Sequence, residues 1–196
     1  MKVSVIIPSL NPDNKLVAVV DALLEEGFKD IIIVNDGSDE EHMAPFKEVA
    51  AHSECTILTH EVNKGKGRGL KTAFEFCLEN RKDIDGVVTV DGDNQHRAKD
   101  IKKCSETMVS TGNVVLGVRD FTGDDVPARS KFGNNMTSGV FKVLCRLNIS
   151  DTQTGLRAIG NKNIYEFMDI KGERFEYETN MLLETKSLEI PVVQTK

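Results

Sequence analysis

The sequence predicts an α/β protein built on a mainly parallel, twisted sheet with helices on both faces. Three observations carry that reading. Short Val- and Ile-rich runs alternate with stretches whose apolar residues fall at helical spacing. The run Ile31–Val34 is wholly β-branched and free of polar residues, as a strand covered on both faces is. Successive runs lie one crossover helix and two short loops apart, which is the spacing of right-handed βα units.

The elements follow in order. Val3 to Ile7 is the first strand, stopped by Pro8. Asn11-Pro12-Asp13 reads as a helix start, with Asn11 as cap and Pro12 at the first helical position. Leu16, Val19, Val20, Leu23 and Leu24 share one face, and Gly27 ends that helix. Ile31 to Val34 is the second strand. It leads through the turn Asp36-Gly37-Ser38-Asp39, with Ser38 or Asp39 as cap, into a helix over 40–51. Thr56 to Leu58 is the third strand. The glycine-rich loop 65–69 precedes a helix that aligns Leu70, Ala73, Phe74, Cys77 and Leu78. The fourth strand, 86–90, ends at Asp91-Gly92-Asp93. A helix carrying Ile101, Cys104 and Met108 closes at Gly112, and 114–118 is the fifth strand. Beyond Arg119 the rhythm changes to a polar loop at 121–127 and a long helix at 130–147. An irregular stretch, 151–160, holds a short strand at 156–159. Helices at 161–168 and 177–186 follow. The last strand, 190–193, belongs at an edge because Pro191 cannot donate.

The 196 residues, 39% hydrophobic and without Trp, suit one α/β domain and exclude collagen-like and disordered classes. No linker divides them. A net charge of −6 speaks against a global nucleic-acid binder. No apolar run approaches the ~20 residues of a membrane span, and Val3 to Pro8 is too short for a signal peptide. Cys55, Cys77, Cys104 and Cys145 lie far apart with no ligand spacing. They read as reduced core residues of a cytoplasmic protein, and a zinc site is not expected.

Open parallel sheets bind ligands at the carboxyl ends of their strands, beside the point where strand order reverses. With an order of 3-2-1-4, Pro8-Ser9, Asn35 to Ser38, Asp91-Gly92-Asp93 and Arg119 converge on one crevice. Two carboxylates flanking a Gly are costly to bring together without a cation, and Mg²⁺ takes one or two carboxylates plus substrate phosphates. Gln95 is a further oxygen ligand in reach. The alternative is a solvated Asp-Gly turn. Asp36 suits a ribose or base edge, or simply belongs to a strand-to-helix turn. Lys64 to Gly69 either offers amides to a phosphate or is a basic turn; it is not a Walker loop. Arg119, Arg129 and Lys131 are cations for anionic oxygens or solvated charges. His96 reads as a helix-start residue, and His42, His52 and His60 as surface.

Ile6-Ile7-Pro8-Ser9-Leu10-Asn11, Val34-Asn35-Asp36-Gly37-Ser38, Asn63-Lys64-Gly65-Lys66-Gly67 and Asp91-Gly92-Asp93-Asn94-Gln95-His96 occur in the order found in family 2 glycosyltransferases. Gly117-Val118-Arg119, Arg129-Ser130 with Asn134, Asp151 to Arg157 and Phe175-Glu176-Tyr177-Glu178 extend the likeness. The sequence is similar to the subgroup of dolichol-phosphate mannose synthases and bacterial polyprenyl-phosphate sugar transferases, over nearly the whole chain.

The resemblance implies a GT-A fold, a GDP- or UDP-sugar donor and Mg²⁺ or Mn²⁺. It divides the single domain 1–196 into a nucleotide-sugar half, 1–119, and an acceptor half, 120–196. Pro8, Val34 and Asp36 would line the base and ribose. Asp91 would lie near the ribose or sugar, and Asp93 and Gln95, with Asp91, at the metal. Asn11, Lys66 and Gly92 are counted with the nucleotide-sugar site. Asp93, Arg119 and Arg129 are counted as catalytic, the two arginines facing the donor diphosphate or an acceptor phosphate with Ser130 beside them. Leu10-Asn11-Pro12 replaces the family's usual Tyr-Asn-Glu, and Asn35 a common Asp. The subgroup often continues past the equivalent of Lys196 with a basic loop and membrane-facing helices. A natural short form or a truncated chain, with an incomplete acceptor site and peripheral contact at the inner face of the membrane, is therefore expected.

The expected reaction is inverting transfer to a polyprenyl phosphate. That nucleophile is already ionised, so cations, Arg119, Arg129 and Arg157, matter more than a base. A saccharide hydroxyl would instead need a carboxylate base, for which Glu176 and Glu178 are the candidates. A sugar nucleotidyltransferase would want a basic glycine loop after the first strand, and Ser9-Leu10-Asn11-Pro12 lacks one. A non-catalytic nucleotide-binding module would have lost an acid of the pair.

Overall fold

Strands β1 (Val3–Ser9) and β2 (Ile31–Asn35) lie side by side in the sheet of the computed structural model, which describes residues 1–118 and 149–195. They run parallel in register, Val5 opposite Ile31 and Ser9 opposite Asn35. β3 (Cys55–Thr59) extends the sheet beyond β2, and β4 (Gly86–Thr89) flanks β1 on the other side, both parallel. The anticipated order 3-2-1-4 is thus present, with strand order reversing at β1. The polar loop at 121–127, the helix at 130–147, Arg119, Arg129, Ser130, Lys131, Asn134 and Cys145 lie outside the described residues.

Strand alternation sorts the core into two layers. Val5 and Ile7 of β1 and Ile31 and Ile33 of β2 pack with α1 (Lys15–Glu25), α2 (Met43–Val49) and α4 (Ala98–Thr111). Ile6, Ile32 and Val34 pack on the opposite face. Their partners there are α3 (Lys66–Asn80), α5 (Asn161–Met168) and α6 (Glu176–Ser187). Full cover on both faces explains why these strands carry so few polar residues. Cys77 and Cys104 are buried and Cys55 is half-buried, all unpaired. Burial pushes the Cys77 thiol up to about 12 and that of Cys55 up to about 11, which keeps them protonated. Among the described residues, no helix is long and apolar enough to cross a membrane.

The second half departs from a plain βα succession. β5 (Val114–Gly117) does not join β4. Instead β6 (Arg157–Gly160) inserts between them, antiparallel to both, giving the order β3-β2-β1-β4-β6-β5-β7. The insertion needs close backbone approach: a Cβ on Gly86 would fall 2.3 Å from the Ile159 carbonyl oxygen. β7 (Val192–Thr195) is the edge strand, parallel to β5 and two residues later than expected. Pro191 lies just before it, where its carbonyl accepts from Val114 and no donor is required.

Two helix starts are corrected. α1 begins at Lys15, with Asn14 at the cap position, not at Pro12. Asn11 instead adopts a left-handed conformation, φ +48°. Its side-chain amide donates to Asp39 Oδ2 at 2.9 Å, and its Oδ1 accepts from the Asp39 amide at 2.8 Å. Two bonds to the loop after β2 outweigh one cap bond. The helix expected over 40–51 is a 3₁₀ turn, Glu40–His42, followed by the shorter α2.

Candidate active site

A cleft of about 470 Å³ opens at the carboxyl ends of β1, β2 and β4. Pro8, Ser9, Asp36, Asp91 and Asp93 line it from the strand ends. Asn63, Gly65 and Lys66 enter from the start of α3, and Phe175 and Glu178 from α6 and its approach. A side arm of about 270 Å³ continues past Ser9, Asn11 and Gly92. Pro8, Asp91 and Glu178, each more than 80 residues from the next, therefore meet here.

Lys66 is the electrostatic centre. Its ammonium lies 2.6 Å from Asp91 Oδ1 and 2.7 Å from Glu178 Oε2. Burial works against its charge, but the Glu178 and Asp91 carboxylates outweigh burial and hold it above its ordinary value. Asp91 packs flat against Gly155, where a Cβ would fall 2.2 Å from Oδ2. That oxygen lies 4.0 Å from His96 Nε2. His96 precedes α4 by two residues and turns a largely covered side chain toward the site, so it belongs to the cleft's surroundings and not to the helix itself.

Asp36 sits at the cleft wall with only 4% of its surface exposed. Its carboxylate accepts from the Lys64 and Gly65 amides at 2.9 and 2.8 Å, and Oδ1 meets His60 Nδ1 at 2.7 Å. His60 Nε2 reaches Thr72 Oγ1 at 3.0 Å. His60 is therefore buried, correcting its reading as a surface residue; the signal was its place directly after β3. Of the two readings of the glycine-rich segment, the phosphate cradle loses three of its amides. Its Lys64 and Gly65 amides are spent on Asp36, and its Arg68 amide on the Glu173 carbonyl. Gly65 holds φ +102° against that same carbonyl, a conformation a side chain would not enter.

Asp93 is exposed at the turn beyond β4, where Asn94 takes φ +63°. Gln95 folds back on it, the backbone amide onto Oδ1 at 3.1 Å and the side-chain amide onto Oδ2 at 2.6 Å. No group of three or more His, Cys, Asp or Glu forms a cage among the described residues. Two hard carboxylates on an open turn fit a Mg²⁺ or Mn²⁺ ion whose remaining ligands come from a substrate's phosphates, not an all-protein site.

Other candidates are placed elsewhere. Arg157 is fully buried in β6, donating to the Thr154 and Glu178 carbonyls, so it is not a cation offered to an acceptor. Burial lowers its guanidinium below the ordinary range despite Glu178 and Asp91 nearby. Glu176 turns back onto the loop before α6, where it accepts from the Glu173 and Arg174 amides. Val34, expected to line the base, is wholly buried in the core against Gly69 of α3 and does not line the cleft, whereas Pro8 does. Ser9, at the end of β1, has its hydroxyl buried beside Gly92 with no hydrogen-bond partner among the described residues. A wider groove, about 790 Å³, lies at the amino ends of the strands. Its charges pair among themselves, Lys29 with Glu54, Arg81 with Asp30 and Lys102 with Glu26, leaving the strand-end cleft as the site with unspent chemistry.

A seven-stranded, mostly parallel sheet with an acid-lined cleft at its carboxyl edge is the architecture of GT-A transferases. The family model described as "Glycosyl transferase family 2" matches residues 4–187, and the chain belongs to that family. Among curated proteins it is 26% identical over 201 residues to the UDP-N-acetylglucosamine–dolichyl-phosphate N-acetylglucosaminyltransferase of Methanococcus voltae, covering 92% of this chain and 78% of that one. It is 22% identical over 184 residues to glycosyltransferase AglJ of Haloferax volcanii, covering 93% of this chain and 57% of that one. Among solved structures, glucosyl-3-phosphoglycerate synthase from Mycobacterium tuberculosis, in complex with Mn²⁺, UDP and glucosyl-3-phosphoglycerate, superposes with a TM-score of 0.75. The identity is 16%, covering 98% of this chain and 68% of that one.

Proposed function

We propose that this protein is an inverting glycosyltransferase that moves a sugar from a GDP- or UDP-linked donor to a polyprenyl phosphate. The observation that carries the choice of acceptor is the state of the two carboxylates on α6. Glu176 accepts from two backbone amides ahead of the helix, and Glu178 is paired through Oε2 with Lys66 and keeps Oε1 shielded from solvent, so neither stands as a free base at an open acceptor site. An acceptor phosphate needs no such base, because it arrives ionised. Similarity to a dolichyl-phosphate transferase supports the same reading.

Asp91 and Asp93, with Gln95, would hold Mg²⁺ or Mn²⁺ against the donor diphosphate, where the ion neutralises charge as the glycosidic bond breaks. Lys66 sits beside that position and adds a second positive charge. Pro8, Asn11, Asp36 and Gly92 are assigned to the nucleotide side, and Val34, wholly buried, supports them only from the core. Asp36 acts there chiefly by shaping the loop before Lys66. Arg119 and Arg129 are proposed to orient the acceptor phosphate through paired N–H donors. Peripheral contact with the inner face of a membrane would give access to such an acceptor.

Calorimetric titration with GDP, UDP and their sugars, with and without Mn²⁺, tests the donor. Product analysis with polyprenyl phosphate and with free saccharides tests the acceptor. The proposal expects Mn²⁺-dependent donor binding and transfer to the lipid phosphate. Transfer to saccharide hydroxyls alone overturns the acceptor assignment.

A further inference from the structure

Glu178 spends only half of its carboxylate. Oε2 meets Lys66, whereas Oε1 is shielded from solvent and has no hydrogen-bond partner among the described residues. Lys66 gives one N–H to Asp91 and one to Glu178, and an ammonium has three. A carboxylate oxygen held unpaired out of water is costly, and a ligand that supplies the missing bond explains why it is kept. The unspent acceptor and the unspent donor belong to one ion pair, and both side chains line the cleft that Asp91 and Asp93 also line. Satisfying both takes a group that donates one hydrogen bond and accepts another, which is a hydroxyl. A phosphate oxygen would suit Lys66 but be repelled by Glu178, and an apolar group would satisfy neither.

We propose that the Glu178–Lys66 pair reads a hydroxyl of the transferred sugar, which makes Glu178 a specificity-determining residue. This inference rests on the donor reading above, that the cleft takes a nucleotide-diphosphate sugar. The negative charge on Glu178 strengthens its bond to a hydroxyl. A sugar lacking that hydroxyl leaves the buried oxygen unpaired again, so discrimination is steep.

The test is titration of the wild-type protein and Glu178→Gln in the presence of Mn²⁺. The probes are UDP, GDP, UDP-glucose, UDP-N-acetylglucosamine and GDP-mannose, followed by single-deoxy forms of the tightest sugar nucleotide. One deoxy form is expected to bind the wild type about tenfold or more weakly than its parent. Glu178→Gln should bind the parent about tenfold more weakly, hold the nucleoside diphosphate within about twofold, and no longer distinguish that deoxy form. If Glu178 acted only by holding Lys66, nucleoside diphosphate and sugar nucleotide would weaken together, and the inference falls. It falls equally if Glu178→Gln keeps the discrimination. Glu178→Asp, which keeps the charge at shorter reach, serves as the folded comparison if the Gln variant does not fold; full wild-type discrimination there also overturns the inference. Should no nucleotide bind the wild type, the donor reading fails along with this one. Should nucleotides bind but every deoxy form bind as well as its parent, only this inference fails.

Discussion

His60 Nδ1 lies 2.7 Å from Asp36 Oδ1, and that contact organises the loop that delivers Lys66. The same carboxylate accepts from the Lys64 and Gly65 amides, and Lys66 follows directly at the first turn of α3. The imidazole therefore acts on the cleft through two intermediates, without lining it.

Replacing that imidazole removes one of the carboxylate's three donors and opens a cavity. His60→Ala should cost about 1–3 kcal/mol of stability. It should also weaken nucleotide binding, because Lys64 to Lys66 lose their fixed path. Thermal unfolding and nucleotide titration check both. Unchanged nucleotide affinity in a destabilised but folded variant would reduce His60 to a purely structural role.

Gly155→Ala should damage the site more than the fold. A Cβ there would collide with the Asp91 carboxylate at 2.2 Å, and Asp91 is the movable partner because it sits at a strand-end turn. Displacing it breaks the contact with Lys66. Nucleotide affinity is expected to fall by about tenfold or more, equivalent to ~1.4 kcal/mol. Titration of the folded variant reads the loss directly.

Asp93→Asn should leave the fold intact, within about 0.5 kcal/mol, since Asp93 is exposed and, among the described residues, bonded only to Gln95. The Mn²⁺-dependent part of nucleotide binding should disappear. Retention of the wild-type Mn²⁺ dependence would remove Asp93 from the metal site.

Ser9→Ala offers a sign test. The Ser9 hydroxyl is buried and unpaired, so removing it should leave stability unchanged or raise it by up to about 1 kcal/mol. If the hydroxyl is kept for a ligand, nucleotide-sugar affinity should fall at the same time. Opposite movement of melting temperature and affinity is the expected result.

Arg129→Ala should lower turnover about ten- to a thousandfold while changing nucleoside diphosphate affinity little, as expected of a contact made mainly in the transition state. Equal losses in affinity and turnover would make Arg129 a ground-state ligand of the donor.

Much of this protein was legible without coordinates. Apolar runs of period two, the polar residues that end them, and helix stripes are local signals. They were enough to place Asp91 and Asp93 at the end of the fourth strand; the order β3-β2-β1-β4 entered as a premise, which the structure bears out. Local signals also explain the misplaced start of α1: Asn11-Pro12 has the chemistry of a cap, and only a partner 28 residues away, Asp39, offers Asn11 something better.

Tertiary structure decided what depends on long-range pairing. Whether Glu176 or Glu178 faces Lys66 is a matter of how α6 is rotated against α3, and a two-residue step separates a carboxylate turned back onto the preceding loop from a cleft residue. Arg157 looked like an available cation because its type and motif suggested one. The antiparallel insertion of β6 beside β4 buries it instead. His60 carries no pattern of its own, and its role exists only because β3 ends beside Asp36 and α3 brings Thr72 to the other side of the ring. The sequence by itself determined which residues stand at the strand ends, because backbone periodicity is written locally. Which of them share a proton or a charge was decided by packing, because contacts at 2.6–3.0 Å between residues as far apart as Lys66 and Glu178 follow from sheet register and helix orientation.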